Sequence, residues 1–415
     1  MISDKPAVLA FAPVCWPPAQ PEAIVNAKLF AAMIEAGWHV DIITNPNPKL
    51  QWYPSQQEQW AALLPHIHRV AERPPRLLSK LWYSLKTLGV RGMAGGVRWG
   101  VPAYELGLKL ARQRQYDVIL SRAMPDVAHL PAMMLSRKTG IAWVANWNDP
   151  QPRQKFPPPY GQGPQAPLDR WQRLYYRAIV RHCRHHTFPS ERLRQYMASY
   201  LAPLGQPLDS SVIPHIALDQ FSCPPIEHPN FVVCYAGSLR PPRSPRVLLE
   251  GLKQFWQRTG CDSRVEARFI VDRDEGVLEA AREYKLESVV RIVPPLSYEQ
   301  MPQAMALADV LVIIEAPVSE GIFLPSKMVD YAQAGKPILA LSPRVGVLAD
   351  LLAEHGGGVA VDSQSPPQVA DVLEAMYLRW KGGTLFQEYS SASLMKLFDQ
   401  RTILESYLDL LSRLS

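Results

Sequence analysis

The chain has 415 residues, 47% of them hydrophobic and 20% charged, with a formal net charge of +6. At a prior of about 150 residues per domain this is too long for one ordinary core, and the apolar and charged fractions are those of a globular protein, not a disordered one. Apolar runs fall short of the ~18 residues that cross a bilayer. The opening Met1-Ile2-Ser3-Asp4-Lys5 also lacks the pattern of a secretory signal, so a cytoplasmic location is expected. Cys15, Cys183, Cys223, Cys234 and Cys261 are scattered and never form a Cys-x-x-Cys pair. Neither a disulfide framework nor a thiolate metal site is expected.

In chain order, residues 7–12 form the first expected strand, ending at Pro13 and a proline-rich loop. Residues 22–36 carry helical periodicity up to Gly37, and residues 39–44 form the next strand. This is the start of a doubly wound sheet. Its first turn holds Val14-Cys15-Trp16-Pro17-Pro18 where a nicotinamide-binding domain would carry Gly-x-Gly-x-x-Gly, which disfavours a dehydrogenase. From Arg69 to Arg114 the chain is basic: Arg73, Arg76, Lys80, Lys86, Arg91, Arg98, Lys109 and Arg112 are opposed only by Glu72 and Glu105, with Leu77, Trp82, Tyr83 and Trp99 interleaved. That mixture suits an anionic membrane surface. Nucleic acid attracts the same charges, and an ordinary solvated face is the bland alternative. The repeat of the mixture in Arg170-Trp171-Gln172-Arg173-Leu174-Tyr175-Tyr176-Arg177 inclines the reading to a membrane and away from nucleic acid.

Further strands are expected at 116–121, 142–146, 185–188 and 211–213. His182 and His186 would share a face if both were helical, but the segment reads better as a helix end running into the strand 185–188. Residues 217–230, with Pro224-Pro225 and Pro229, read as a connection between domains. The strand–helix rhythm then restarts at 231–236 and continues with strands at 267–271, 289–293, 310–314, 338–341 and 359–361. Residues 393–414 form an amphipathic helical pattern. The whole is an α/β chain of two doubly wound domains.

Two loops after strands carry the chemistry. In Tyr235-Ala236-Gly237-Ser238-Leu239-Arg240-Pro241-Pro242-Arg243, a strand ends in a glycine that permits close approach of a ligand, followed by two arginines. In the second, the strand 310–314 leads through Glu315, Glu320 and Leu324 to Ser326, expected to cap a helix over 327–334 that stops at Gly335-Lys336-Pro337. A helix start with Lys327 beside it favours an anion, and Arg243 can hold phosphate through paired hydrogen bonds. These residues read as a nucleotide diphosphate site. Two cations there would stabilise a departing diphosphate, with neither a metal nor a cofactor required.

With these motifs the chain resembles the family 4 retaining glycosyltransferases of the GT-B fold. Gly237-Ser238-Leu239 followed by Arg243 is similar to that family's Gly-x-Leu segment and basic residue, and Asp330 before Gly335-Lys336-Pro337 stands where its second glutamate opens a helix. The resemblance implies two facing Rossmann-like domains with a cleft between them: an acceptor-side domain over 1–217, a nucleotide-sugar domain over 218–385, and a segment 386–415 packing back on the first. It implies that Arg243, Lys327 and Glu320 act on the donor, with Glu315 the rival for the sugar carboxylate. Gly237, Ser238, Arg240, Leu324 and Ser326 would bind the donor, and Asp330 the ribose. The family's first glutamate lies eight positions before the second, whereas Glu320 lies ten before Asp330.

On the acceptor side, Ala142-Trp143-Val144-Ala145-Asn146-Trp147-Asn148-Asp149 resembles a strand ending in His-Asp, with Asn148 in place of histidine. Asparagine cannot act as a base, which leaves Asp149. Trp16 would line the acceptor loop. The activity implied is metal-independent, retaining transfer from a UDP- or GDP-sugar to a lipid-linked or saccharide acceptor at the cytoplasmic membrane face. A sugar-nucleotide epimerase on the same architecture and a non-catalytic nucleotide-sugar-binding scaffold are the alternatives.

Overall fold

The structure, a computed structural model, describes residues 5–15, 21–46, 60–73, 96–218 and 226–414. By their contacts these fall into two units, residues 1–215 with 401–415 and residues 216–400.

The first unit is a seven-stranded parallel sheet in the order β3-β2-β1-β4-β5-β6-β7. Its strands are β1 (Ala7–Phe11), β2 (His39–Thr44), β3 (Ile67–Arg69), β4 (Val118–Ala123), β5 (Trp143–Trp147), β6 (His185–Phe188) and β7 (Ser210–Val212). Between them run α1 (Pro21–Glu35), α2 (Gly96–Gln113), α3 (His129–Thr139), α4 (Arg170–His182) and α5 (Glu191–Leu201). β4 and β5 are buried along their whole length, as parallel strands covered on both faces must be. α2 is built around close contacts. A Cβ on Gly100 would lie 2.7 Å from Leu130 Cδ2, and one on Gly107 would lie 2.8 Å from Phe11 Cζ. Two indole groups inside this core are paired: Trp143 Nε1 donates to Ser121 Oγ at 2.7 Å, and Trp147 Nε1 donates to His186 Nδ1 at 3.0 Å.

The second unit repeats the plan with six parallel strands in the order β10-β9-β8-β11-β12-β13. These are β8 (Phe231–Ala236), β9 (Val265–Ile270), β10 (Val290–Val293), β11 (Val310–Ile314), β12 (Ile338–Ser342) and β13 (Gly358–Asp362). The helices are α6 (Arg246–Arg258), α7 (Glu275–Tyr284), α8 (Met301–Ala306), α9 (Ser326–Gln333), α10 (Val347–His355), α11 (Pro366–Lys381), α12 (Leu385–Glu388) and α13 (Ala392–Phe398). Its core joins Phe231, Phe255 and Tyr377, whose rings are 5.4 to 6.1 Å apart. α6 and α11 touch at Gly251, where a Cβ would meet Val369 Cβ at 2.5 Å.

The expected single helix over 393–414 is two helices, because Asp399 leaves α13 in an extended conformation before α14 (Gln400–Leu414) begins. α12 and α13 belong to the second unit and 401–415 to the first, where Tyr407, Leu410 and Leu411 lie against Val8, Met33 and Trp38. In each sheet the strand order reverses at one place, β1/β4 in the first and β8/β11 in the second, and ligands of doubly wound sheets bind at the carboxyl ends of such strands. Both clusters of unusual side chains lie there.

Candidate functional site

In the second unit the chain leaves β8 at Ala236 and turns through Gly237, whose φ of +129° belongs to a region that glycine alone enters freely. α9 begins on the adjacent side of the switch point, directly after the loop that follows β11. Lys327, in its first turn, points back. Its Nζ donates to the Ala236 carbonyl at 2.7 Å and lies 4.3 Å from the centre of the Tyr235 ring. A Cβ on Gly237 would come within 2.8 Å of that amine, so glycine is what leaves the amine room. Burial, reinforced by the neighbouring Arg243, lowers the Lys327 pKa to about 7.

Glu315 follows the last residue of β11, its N–H donating to the Leu341 carbonyl at 2.9 Å. One of its carboxylate oxygens is buried without a hydrogen-bond partner, and burial pushes the group up to about 8 against the pull of Arg243. Arg243 therefore acts both on the Lys327 amine and on a Glu315 carboxyl that holds its proton at neutral pH. Ser326 is the first residue of α9 and not its cap; Pro325 occupies the cap position and no side chain caps the helix. The loop bearing Glu320 is fixed by a bridge between Gly321 and Gly346, with Gly321 N–H donating to Val345 O at 2.9 Å and Val347 N–H to Gly321 O at 2.7 Å. Leu324 is buried in this loop and Glu320 half-buried.

Ser238 and Arg240 do not join Lys327. Ser238 Oγ and Arg240 Nη2 both donate to Asp272 Oδ2 at 3.2 Å. Asp330, on α9, is buried and accepts a hydrogen bond from the Tyr298 hydroxyl at 3.1 Å.

In the first unit, Asn148 and Asp149 follow β5. Asn148 Nδ2 donates to both oxygens of Glu22, at 2.9 and 3.0 Å, where Glu22 stands in the first turn of α1. One turn on, Asn26 Nδ2 donates to Glu22 Oε1 at 3.2 Å, and Arg122 Nε donates to Asn26 Oδ1 at 2.7 Å. Arg122 also reaches the Tyr407 hydroxyl at 3.3 Å. Burial raises Glu22 to about 7, with Arg122 and Asn148 opposing and Asp149 adding to the rise. Burial alone raises Asp149 to about 6. Two carboxyl groups that change charge near neutrality thus sit at the carboxyl ends of the strands, a frequent sign of a working site.

Sequence reasoning names Asn148 and Asp149 but misses Glu22, Asn26 and Arg122. The available signal was a single arginine inside the otherwise uncharged strand Val118–Ala123. Trp16 lies outside the described residues, as do Arg76, Lys80, Lys86 and Arg91, whereas Arg98, Lys109 and Arg112 are on α2. His182 ends α4 and His186 is inside β6, so they share no helix face. Among the described residues no group of three or more His, Cys, Asp or Glu side chains could hold a metal ion, and no helix is long and apolar enough to cross a membrane.

Residues 23–206, inside the first unit, match the family described as glycosyl transferase 4-like domain. The chain is similar in fold to the HepE protein of Anabaena in complex with UDP, with a TM-score of 0.67, 15% identity, and 99% of this chain and 100% of that one covered. The chain has the GT-B fold. Sucrose-phosphate synthase of Thermosynechococcus elongatus is also similar in fold, at a TM-score of 0.64 and 16% identity, with 99% of each chain covered. In sequence, 160 residues are 27% identical to the D-inositol 3-phosphate glycosyltransferase of a Nocardioides species, covering 34% of this chain. The GT-B chain thereby spans about a third, 33%, of that curated relative.

Proposed function

We propose that the protein is a glycosyltransferase that moves a sugar from a nucleotide diphosphate sugar to a lipid-linked or polysaccharide acceptor, with retention of configuration and without a metal. The observation that carries the reading is the meeting of Lys327 and Arg243 at a turn held open by Gly237, at the switch point of a parallel sheet. An amine whose pKa has fallen to about 7 is poorly solvated, and a diphosphate would supply the counter-charge it lacks. As the sugar–phosphate bond breaks, both cations stabilise the leaving diphosphate. HepE is described in complex with UDP and with UDP-glucose, which supports a uridine nucleotide for this site.

In this reading Glu315 and Glu320 meet the sugar, Glu315 as a donor through its retained proton. Asp330, positioned by Tyr298, meets the ribose, and Leu324 and Ser326 shape the loop. Ser238 and Arg240 order the turn through Asp272. On the acceptor side Asp149 accepts the hydrogen bond of the incoming hydroxyl, beside Asn148 and Glu22, while the proton itself can leave with the diphosphate.

Calorimetric titration with UDP, GDP and their sugar conjugates, with and without EDTA, tests this. Binding of one series, unaffected by EDTA and lost in Arg243→Ala, is the expected result. Absence of binding to all of them would favour a scaffold. Binding with interconversion of the sugar, and no transfer, would favour an epimerase.

A further inference from the structure

Many surface arginines of this protein, half-buried or exposed, are neutralised by carboxylates: Arg194 by Glu191, Arg246 by Glu279 and Glu283, Arg258 by Asp371 and Glu374, Arg379 by Glu388. α4 departs from this pattern. Arg170, Arg173, Arg177 and Arg181 recur at intervals of three and four, which sets all four within an arc of about 80° on one face and along about 17 Å of axis. All four are exposed, while Tyr175 and Ile179 on the opposite face, and Tyr176 and Val180 at its flank, are buried. None of the four pairs with a described carboxylate; Arg177 donates to the Leu204 carbonyl at 3.1 Å, and Arg170 lies 5.4 Å from the Trp171 ring.

Helix stability does not account for these charges. The first turn of α4 has no acidic residue, and Arg170 and Arg173 stand at the positive end of the helix dipole, where a cation is unfavourable. The basic surface continues past the helix in Arg184, and at the end of α3 in exposed Arg137 and Lys138. Leu174, 38% exposed, lies beside the arginine arc, about 20° beyond Arg181, with half-buried Trp171 next to Arg170. An apolar side chain among cations gains nothing from a phosphodiester backbone. At a headgroup layer it enters the acyl boundary while the arginines reach the phosphates.

We propose that this face of α4 docks the protein on a lipid surface carrying acidic headgroups. The docking is independent of the nucleotide site and does not require it to be occupied.

Sedimentation with vesicles of phosphatidylcholine, alone or with one third phosphatidylglycerol, tests the proposal without any sugar donor. The wild-type protein binds the acidic vesicles and not the neutral ones, and is released by high salt. With each arginine contributing roughly fivefold at an acidic surface, the triple variant Arg173→Glu, Arg177→Glu, Arg181→Glu loses about a hundredfold or more in affinity. Its circular dichroism and melting curve remain those of the wild type, since the three side chains are exposed. The neutral triple variant with glutamine carries the same test should charge reversal disturb folding, and Leu174→Ala weakens binding severalfold without changing charge. Undiminished vesicle binding by the glutamine variant, or wild-type preference for duplex DNA over acidic vesicles, overturns the proposal, the latter in favour of nucleic acid.

Discussion

Binding of a nucleoside diphosphate to the second unit is expected to draw a proton from solution onto Lys327. Without ligand its pKa is about 7. At pH 8 only about one tenth of the molecules then carry the ammonium, whereas a diphosphate in contact restores the ordinary value near 10.4 and full charge, an uptake of about 0.9 proton. Glu315, at about 8, is half protonated there, and an added anion drives it further to the neutral form. It contributes up to about 0.5 proton more. Tyr235 and Cys234, both raised to about 12 by burial, stay neutral over this range. The Lys327 part alone weakens binding about fiftyfold between pH 7 and pH 9, or about 2.3 kcal/mol. Titration of UDP in Tris and in HEPES at pH 8 reads the uptake from the difference in apparent enthalpy. Lys327→Met should remove the larger part and Glu315→Gln the smaller. Tight binding with no buffer dependence, or uptake that survives both substitutions, would refute the reasoning.

Other outcomes follow from named contacts. Gly237→Ala places a Cβ 2.8 Å from the Lys327 amine at φ +129° and is expected to destabilise by about 1–3 kcal/mol and to weaken nucleotide binding at least tenfold, read by denaturant melts and calorimetry. Gly251→Ala overpacks α6 against Val369, 2.5 Å away, and should cost about 1–3 kcal/mol in urea unfolding with nucleotide binding intact below the transition. Asp149 has its folded pKa raised to about 6, so the folded state binds the extra proton and stability from this group falls as pH rises from about 4 to 6. Asp149→Asn should therefore gain up to about 3 kcal/mol at pH 7.5, flatten that part of the stability curve, and lower sugar transfer. Glu22→Gln should flatten the stability curve further up, toward about 7, as measured by melts across pH.

The parallel strands were legible because each is a short, continuous apolar run: the segments expected at 231–236 and 310–314 are β8 and β11 residue for residue. The turn at Gly237 and the start of α9 were legible too, since a glycine and a lysine each follow a strand end. α2 was not, because Gly100, Pro102 and Gly107 look like breakers until Leu130 and Phe11 are seen to require the glycines. β3 has three residues and no hydrophobic pattern. The partners Glu22 and Asn148 are 126 positions apart, and Asn26 and Arg122 are 96 apart, so only the folded sheet brings them into contact. Tyr175 and Tyr176 read as part of a basic surface stretch, yet α4 turns them inward: Tyr175 donates to the Asp126 carbonyl at 2.8 Å, and Tyr176 to the Asp126 carboxylate.

Because residues 401–415 belong with residues 1–215, the second unit is an insertion within the first. On a ribosome, all the residues of the inserted unit have been made before α14 is available to its host. The host must then wait with Val8, Met33 and Trp38 lacking the cover that Tyr407, Leu410 and Leu411 provide. Residues 216–400 can accordingly be excised as one continuous gene fragment. The host unit cannot be obtained by a stop codon after residue 215, and needs a short linker joining that position to residue 401 to restore its last helix.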